Sequence, residues 1–118
     1  VIGGINEKGK VSTQTNVFDP QSNTWSKGPK LPGSGIAGFG VSAWSIDGDL
    51  YACGVRGKLL RLNDEGSAWE DVGRVETPRF FHQLVPAPHG GLMVVGGASE
   101  DGHLATIERV EIENTTKN

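Results

Sequence analysis

The strongest constraint on the fold of this chain is an internal repeat. Three short apolar runs end in small residues, and they read Val1-Ile2-Gly3-Gly4, Tyr51-Ala52-Cys53-Gly54 and Val94-Val95-Gly96-Gly97. Their last residues are 50 and 43 positions apart, and tryptophans that follow the first two runs are 44 apart. A period of this length indicates stacked units, each of which needs a neighbour to bury its hydrophobic faces.

The segments between these landmarks predict short strands joined by tight turns. Asp47-Gly48 and His89-Gly90-Gly91 are predicted hairpin turns, because glycine adopts positive φ without steric cost. No window has a sustained 3.6-residue hydrophobic period, so we expect no helix. The predicted strands cover residues 38–46, 50–54, 58–62, 80–85, 92–96 and 106–112. Four short strands per repeat predict an all-β fold made of four-stranded antiparallel propeller blades.

Composition narrows the class of partner. The 118 residues carry a net charge of −3, and lysines and arginines are scattered singly. This pattern does not favour nucleic acid as a partner, because phosphate binding needs clustered cations. No apolar run is long enough to span a bilayer, so we expect no membrane partner. Cys53 is the one cysteine, which excludes an intrachain disulfide and leaves the compartment open.

The repeat resembles the kelch repeat: an apolar strand that ends in Gly-Gly, a variable loop, and a strand leading to an acidic turn and a tryptophan. Val1-Ile2-Gly3-Gly4 is followed by Val17-Phe18-Asp19-Pro20-Gln21-Ser22-Asn23-Thr24-Trp25, and Thr77-Pro78-Arg79 precedes the last Gly-Gly run. The resemblance implies a partial kelch-type β-propeller. Its structural motif residues would be Gly3, Gly4, Trp25, Cys53, Gly54, Trp69, Gly96 and Gly97.

The strand count divides the chain into three blades. We predict that residues 1–33 form a blade lacking its first strand, residues 34–76 a complete blade, and residues 77–118 a blade lacking its last strand. The middle repeat departs from the pattern, because Cys53 stands where the others have glycine and no arginine follows Leu31-Pro32. The resemblance implies that the remaining blades of the propeller are missing from this chain, which we expect to be its C-terminal part.

Three side chains are candidates for ligand binding, because the resemblance implies that first strands of blades line a central channel. They are Arg79, His82 and Trp44. For Arg79 a structural ion pair is the favoured alternative. Counting back 15 positions from Gly97 and Gly54 aligns His82 with Phe39, which favours a packing role. Trp44 aligns with Ala87 and is a candidate exposed aromatic at the mouth of the ring.

No motif indicates a metal, a cofactor or a catalytic residue. The spacing of His82, His89 and His103 resembles no zinc pattern. Gly33-Ser34-Gly35 lacks the lysine and the helix that a phosphate-binding loop requires. Asn114-Thr115-Thr116 forms an N-glycosylation sequon, which has meaning only in a secreted eukaryotic protein.

Three functions remain open from the sequence. The resemblance favours a non-catalytic recognition or scaffold module that binds protein partners through loops on one propeller face. The alternative is part of a bacterial sugar-active propeller resembling sialic acid mutarotase, whose ligand would be a small carbohydrate. A structural domain attached to a separate catalytic domain is the third possibility.

Overall fold

The computed structural model describes residues 1–113, so the Asn114 sequon and the end of the last predicted blade lie outside the described residues. Residues 1–113 contain eleven β-strands and no helix, and hence no helix that could cross a membrane. The strands are β1 (Asn16–Asp19), β2 (Thr24–Lys27), β3 (Ser42–Ile46), β4 (Asp49–Cys53), β5 (Lys58–Leu62), β6 (Trp69–Arg74), β7 (Gln83–Pro86), β8 (Leu92–Val95), β9 (Ala98–Ser99), β10 (Gly102–His103) and β11 (Ile107–Val110).

The middle of the chain forms a four-stranded antiparallel sheet in the order β3-β4-β5-β6. Asp47 and Gly48 join β3 to β4 with φ angles of 51° and 85°, so the predicted tight turn is confirmed. A β-bulge interrupts the pairing of β5 with β6 between Leu59 and Leu60. The meander matches the predicted four-stranded blade unit.

The first and last repeats form related sheets. The last one has the order β11-β8-β7, and the chain between β8 and β11 closes into the small β9-β10 hairpin. The first repeat has the β1-β2 hairpin, and isolated bridges join Ile2 to Thr15 and Ile5 to Val11. The Ile5–Val11 bridge closes a small loop hairpin at the place that β9-β10 occupies in the last repeat. The fold is therefore an all-β partial propeller.

The largest core lies between the four-stranded and the three-stranded sheets. Leu59 and Val72 of the former and Leu84, Leu92 and Val94 of the latter are almost wholly buried in it. Gly73 faces the residue that follows β11 so closely that a Cβ there would lie 2.8 Å from the carbonyl oxygen of Glu111. The sheets thus pack face to face as adjacent blades do, and burial of these faces stabilises the stack.

Strand pairing corrects the alignment of the middle repeat. Trp25 pairs with Phe18, and Trp69 pairs with Leu62, so the two tryptophans are equivalent. Counting back along the same strands makes Leu59, the partner of Cys53, equivalent to Thr15, the partner of Ile2. Cys53 therefore occupies an apolar strand position, and the expectation that it replaces a glycine is wrong.

The same register makes Gly54 equivalent to the first glycine of each pair. Gly3 and Gly96 are the first glycines, because their N–H groups donate in the same way, to the carbonyls of Gln14 and Thr106. Val55 then takes the place of the second glycine. Val55 does not have the positive φ of Gly97, which is 90°, and this is why a side chain is accepted there.

Gly97 also approaches the backbone of the segment that leads into β7 of its own repeat. A Cβ at this position would lie 2.5 Å from the carbonyl oxygen of Phe80 and 2.9 Å from the backbone nitrogen of His82. The Gly97 landmark is therefore required both by its φ and by this close approach.

We predict that Gly97→Ala destabilises the whole protein by about 3 kcal/mol, since strain at positive φ adds to a backbone clash. Gly66→Ala is the matched control, because Gly66 has a φ of 70° but a Cβ added there would meet nothing within 4 Å. Its expected cost is about 1 kcal/mol. Urea unfolding followed by tryptophan fluorescence measures both values, and equal losses in the two variants would contradict the role of the close approach.

Candidate functional site

The three candidate ligand-binding residues differ in how far they reach solvent. Arg79 and His82 lie in the segment that connects β6 to β7, and their exposed fractions are 1% and 3%. Trp44 lies in the middle of β3, opposite Tyr51, and 45% of it is exposed. Among these three residues, only Trp44 offers a substantial surface to a ligand.

Arg79 is surrounded by acceptors from three parts of the last repeat. Its guanidinium donates to the carbonyl oxygens of Thr77, Gly96 and Thr106 at 3.0–3.1 Å, and to the hydroxyl oxygen of Thr106 at 3.2 Å. It also forms an ion pair with the carboxylate of Glu108. These contacts use the donors of the guanidinium within the protein, which favours the structural role over a ligand contact.

Glu108 ties the β6–β7 connection to β11. Its carboxylate oxygens accept hydrogen bonds from the backbone N–H groups of Glu76, at 2.8 Å, and Thr77, at 3.0 Å. Burial alone raises the pKa of Glu108, but these N–H groups and the Arg79 cation outweigh it, so the pKa lies below its usual range. Glu108 could not be identified from the sequence, because nothing local marks one carboxylate in the strand β11 as a partner for Arg79.

His82 is buried without a hydrogen-bond partner on either ring nitrogen within the described residues. Burial, together with the Arg79 charge, lowers its pKa to about 4. The strand pairing makes His82 equivalent to Val41, because Gln83 faces Val95 as Ser42 faces Cys53. The alignment with Phe39 is therefore wrong.

Phe39 is instead equivalent to Phe80, and the two rings lie in contact with centroids 5.2 Å apart. The same register makes Trp44 equivalent to Val85 and corrects its alignment with Ala87. Each misalignment is of two positions and has two causes. One position arises because Gly54 is equivalent to Gly96 and not to Gly97, and the other because the β7–β8 loop is one residue longer than the β3–β4 turn between equivalent strand pairs. A fixed count from the glycine cannot detect such a difference.

The motif residues Trp25, Cys53 and Trp69 differ in their surroundings. Trp69 is half-buried, and its indole N–H donates to the carbonyl oxygen of Pro29 in the preceding repeat at 3.1 Å. Trp25 is 61% exposed and contacts Phe18. Cys53 is buried, and burial raises the pKa of its thiol to about 12, so it is a packing residue and not a reactive nucleophile.

One end of the sheets, which we call the loop face, carries the connections that follow β4, β6 and β8 and the loop bridged by Ile5 and Val11. Residues 6–10 and residues 100–103 of the β9-β10 hairpin are exposed there, whereas β9 is half-buried. An apolar cavity of about 90 Å³ lies between the first and middle repeats, and Gly54, in the β4–β5 connection, is among the residues that line it. Within residues 1–113 no three His, Cys, Asp or Glu side chains are grouped so as to hold a metal ion.

The Arg79–Glu108 pair yields a stability prediction for the whole protein. Glu108→Ala should lower the free energy of unfolding by about 4 kcal/mol, because it leaves a buried cation unpaired. Replacing both charges, as Arg79→Met with Glu108→Leu, should recover part of this loss. Glu111→Ala removes an exposed partner of Arg109 and should cost less than about 1 kcal/mol. Equal losses for Glu108→Ala and Glu111→Ala in chemical denaturation would contradict the assignment.

His82 yields a pH prediction. Its folded pKa of about 4 lies below its ordinary 6.5, so the unfolded state binds more protons between these values and stability falls as the pH drops. Relative to His82→Val, the wild type should lose about 2 kcal/mol between pH 7 and pH 5. Urea unfolding at both pH values measures the difference. Parallel pH profiles for the two proteins would show that His82 is not buried in its neutral form.

Comparisons with known proteins show which proteins contain similar repeats. No protein-family model matches the chain. The chain is 28% identical over 115 residues to Kelch-like protein 35 of Mus musculus, which covers 94% of this chain and 20% of that protein. It is 30% identical over 106 residues to Kelch-like protein 21 of Bos taurus, with coverages of 75% and 17%.

A further relative is Kelch-like protein 41b of Danio rerio, which is 27% identical over 100 residues, or 81% of this chain and 16% of that protein. The chain thus spans a fifth or less of the length of the curated relatives it matches. These similarities cover between 75% and 94% of this chain. The chain belongs to the kelch-repeat family of β-propeller proteins.

Proposed function

We propose that this chain is part of a non-catalytic scaffold that binds protein partners through the loop face. The observation that carries the proposal is the pair of small loop hairpins that follow the glycine pairs of the first and last repeats, at residues 5–11 and 98–103. Both project from the same end of the packed sheets. Binding residues are found disproportionately on loops that a rigid framework positions.

The framework beneath these loops is well anchored. In the last repeat, Leu104 N–H donates to the carbonyl oxygen of Gly97 at 2.9 Å, and Gly96 N–H donates to that of Thr106 at 3.0 Å. In the first repeat, the N–H groups of Ser12 and Gly3 make the equivalent bonds to Gly4 and Gln14. The base of each hairpin is therefore fixed, while its tip is free to differ in sequence.

The tips carry opposite charges. Residues 6–10 of the first repeat carry Lys8, Lys10 and Glu7 and have a net positive charge, whereas the tip of the β9-β10 hairpin carries Glu100 and Asp101. These side chains are exposed. A surface with separate positive and negative loops can select a partner by charge complementarity.

The carbohydrate alternative gains no support from the Kelch-like relatives. Its candidate channel residues Arg79 and His82 are almost wholly buried, so neither offers a surface to a sugar in this structure. The protein-binding proposal is therefore the one favoured by the geometry and by the family.

Charge reversal on the loops tests the proposal in the whole protein. We expect Lys8→Glu with Lys10→Glu, or Glu100→Lys with Asp101→Lys, to weaken binding of its purified partner by about tenfold, because rim charges set encounter rate and specificity. The measurement is surface plasmon resonance against partners isolated with the wild-type protein. Asp64→Lys with Glu65→Lys is the matched control, since this turn between β5 and β6 lies at the other end of the sheets.

The control should leave affinity within about twofold of the wild type. If the turn variant abolished binding while both loop variants kept it, the partner would bind the opposite face. If no variant affected binding, the loops would not be the recognition surface.

A further inference from the structure

The cavity between the first and middle repeats occupies a place that a side chain fills in the last repeat. Its floor is formed by buried apolar residues, and its rim by exposed ones. The floor includes Leu31, Ala37, Ala52 and Leu60, and the rim includes Arg56 and Lys58. Its volume is about 90 Å³.

The strand register relates this cavity to the buried arginine of the last repeat. The guanidinium of Arg79 is held by Gly96, Thr106 and Glu108. The positions equivalent to these three are Gly54, Lys58 and Leu60, and all three line the cavity. The middle repeat thus keeps the enclosure but has no arginine to fill it.

The residues that line the cavity also differ in chemistry from those around Arg79 in the last repeat. Leu60 stands where Glu108 accepts the guanidinium, so the cavity floor has no carboxylate to hold a cation. Its lining is mainly apolar, which suits a hydrocarbon group. A volume of about 90 Å³ is smaller than the roughly 150 Å³ cavity that admits benzene in a protein interior, so a branched aliphatic group fits better than an aromatic ring.

The positive charge of Arg56 at the rim favours a ligand that carries a carboxylate. Arg56 is exposed and donates to the carbonyl oxygen of Ser34 at 2.9 Å, and no carboxylate of residues 1–113 lies within ion-pair distance of it. Lys58 lies 3.7 Å from Asp71. Arg56 is therefore placed to pair with a carboxylate that approaches from outside.

We propose that the cavity binds a branched aliphatic side chain of a partner protein, and that Arg56 holds an acidic residue beside it in the same segment. The proposal rests on the proposed function, because it names a site for a protein partner on the loop face. The occupant is an acidic peptide segment with valine, leucine or isoleucine as its anchor.

The test uses the whole protein and a phage-displayed library of random twelve-residue peptides. Panning on the wild type should enrich peptides with an aliphatic residue next to aspartate or glutamate. One enriched peptide is then synthesised, and its dissociation constant is measured by fluorescence polarisation.

Two variants test the floor and the rim separately. Ala52→Val reduces the cavity with a residue that the fold accepts at the equivalent position Val94, and Arg56→Gln removes the charge while keeping an amide donor for Ser34. Each should weaken peptide binding at least tenfold. Arg74→Gln is the control, because Arg74 is an exposed arginine outside the cavity lining and should leave the affinity unchanged.

Thermal unfolding of the three variants confirms that each is folded, and Arg56→Gln keeps the test valid if Ala52→Val does not fold. The absence of enriched aliphatic-acidic peptides, or a peptide whose affinity survives both variants, overturns the proposal. A peptide that loses affinity with the loop charge reversals but not with Ala52→Val or Arg56→Gln overturns the cavity site and leaves the proposed function standing.

Discussion

The ion pair between Arg79 and Glu108 is the interaction on which the last repeat depends most. It joins the β6–β7 connection, the β8–β9 corner and β11, because Arg79 donates to Gly96 and Thr106 while Glu108 accepts from Glu76 and Thr77. Three chain segments that are distant in sequence are thereby fixed at one point. The buried charges cost desolvation, and the dense set of hydrogen bonds is what makes their burial tolerable.

In the middle repeat, the site equivalent to the Arg79–Glu108 ion pair contains no buried charge. Leu60 replaces the carboxylate, no arginine follows Pro32, and Gly33 and Ala37 line the cavity. Loss of the arginine and loss of its acidic partner therefore go together, as expected if an unpaired buried charge is not tolerated.

Much of the fold was predictable, because its signals are local. Glycine at positive φ, the hairpin turn at Asp47-Gly48 and the recurring tryptophans each reflect short-range geometry. The register within the middle repeat was not predictable. Its one glycine at this point, Gly54, can be aligned equally well with the first or with the second glycine of the other repeats. Only the pairing of Cys53 with Leu59 distinguishes the two alignments. A shift of one residue moves every side chain to the opposite face of its strand, so this error also changes which residues are predicted to be buried.

The candidate site was even less predictable from the sequence than the strand register. Arg79 was identifiable from its motif, but its function depends on Glu108, 29 positions away, and on carbonyl oxygens that carry no sequence signature. The cavity is harder still, because Leu60 and Ala52 are ordinary strand residues until the arginine site of the next repeat is superposed on them. Comparing repeats within one chain therefore provides what a single sequence position cannot. The last repeat fills this site with the side chain of Arg79, whereas the middle repeat leaves the equivalent site apolar and open. This difference marks the cavity as a place where a group from another molecule can bind.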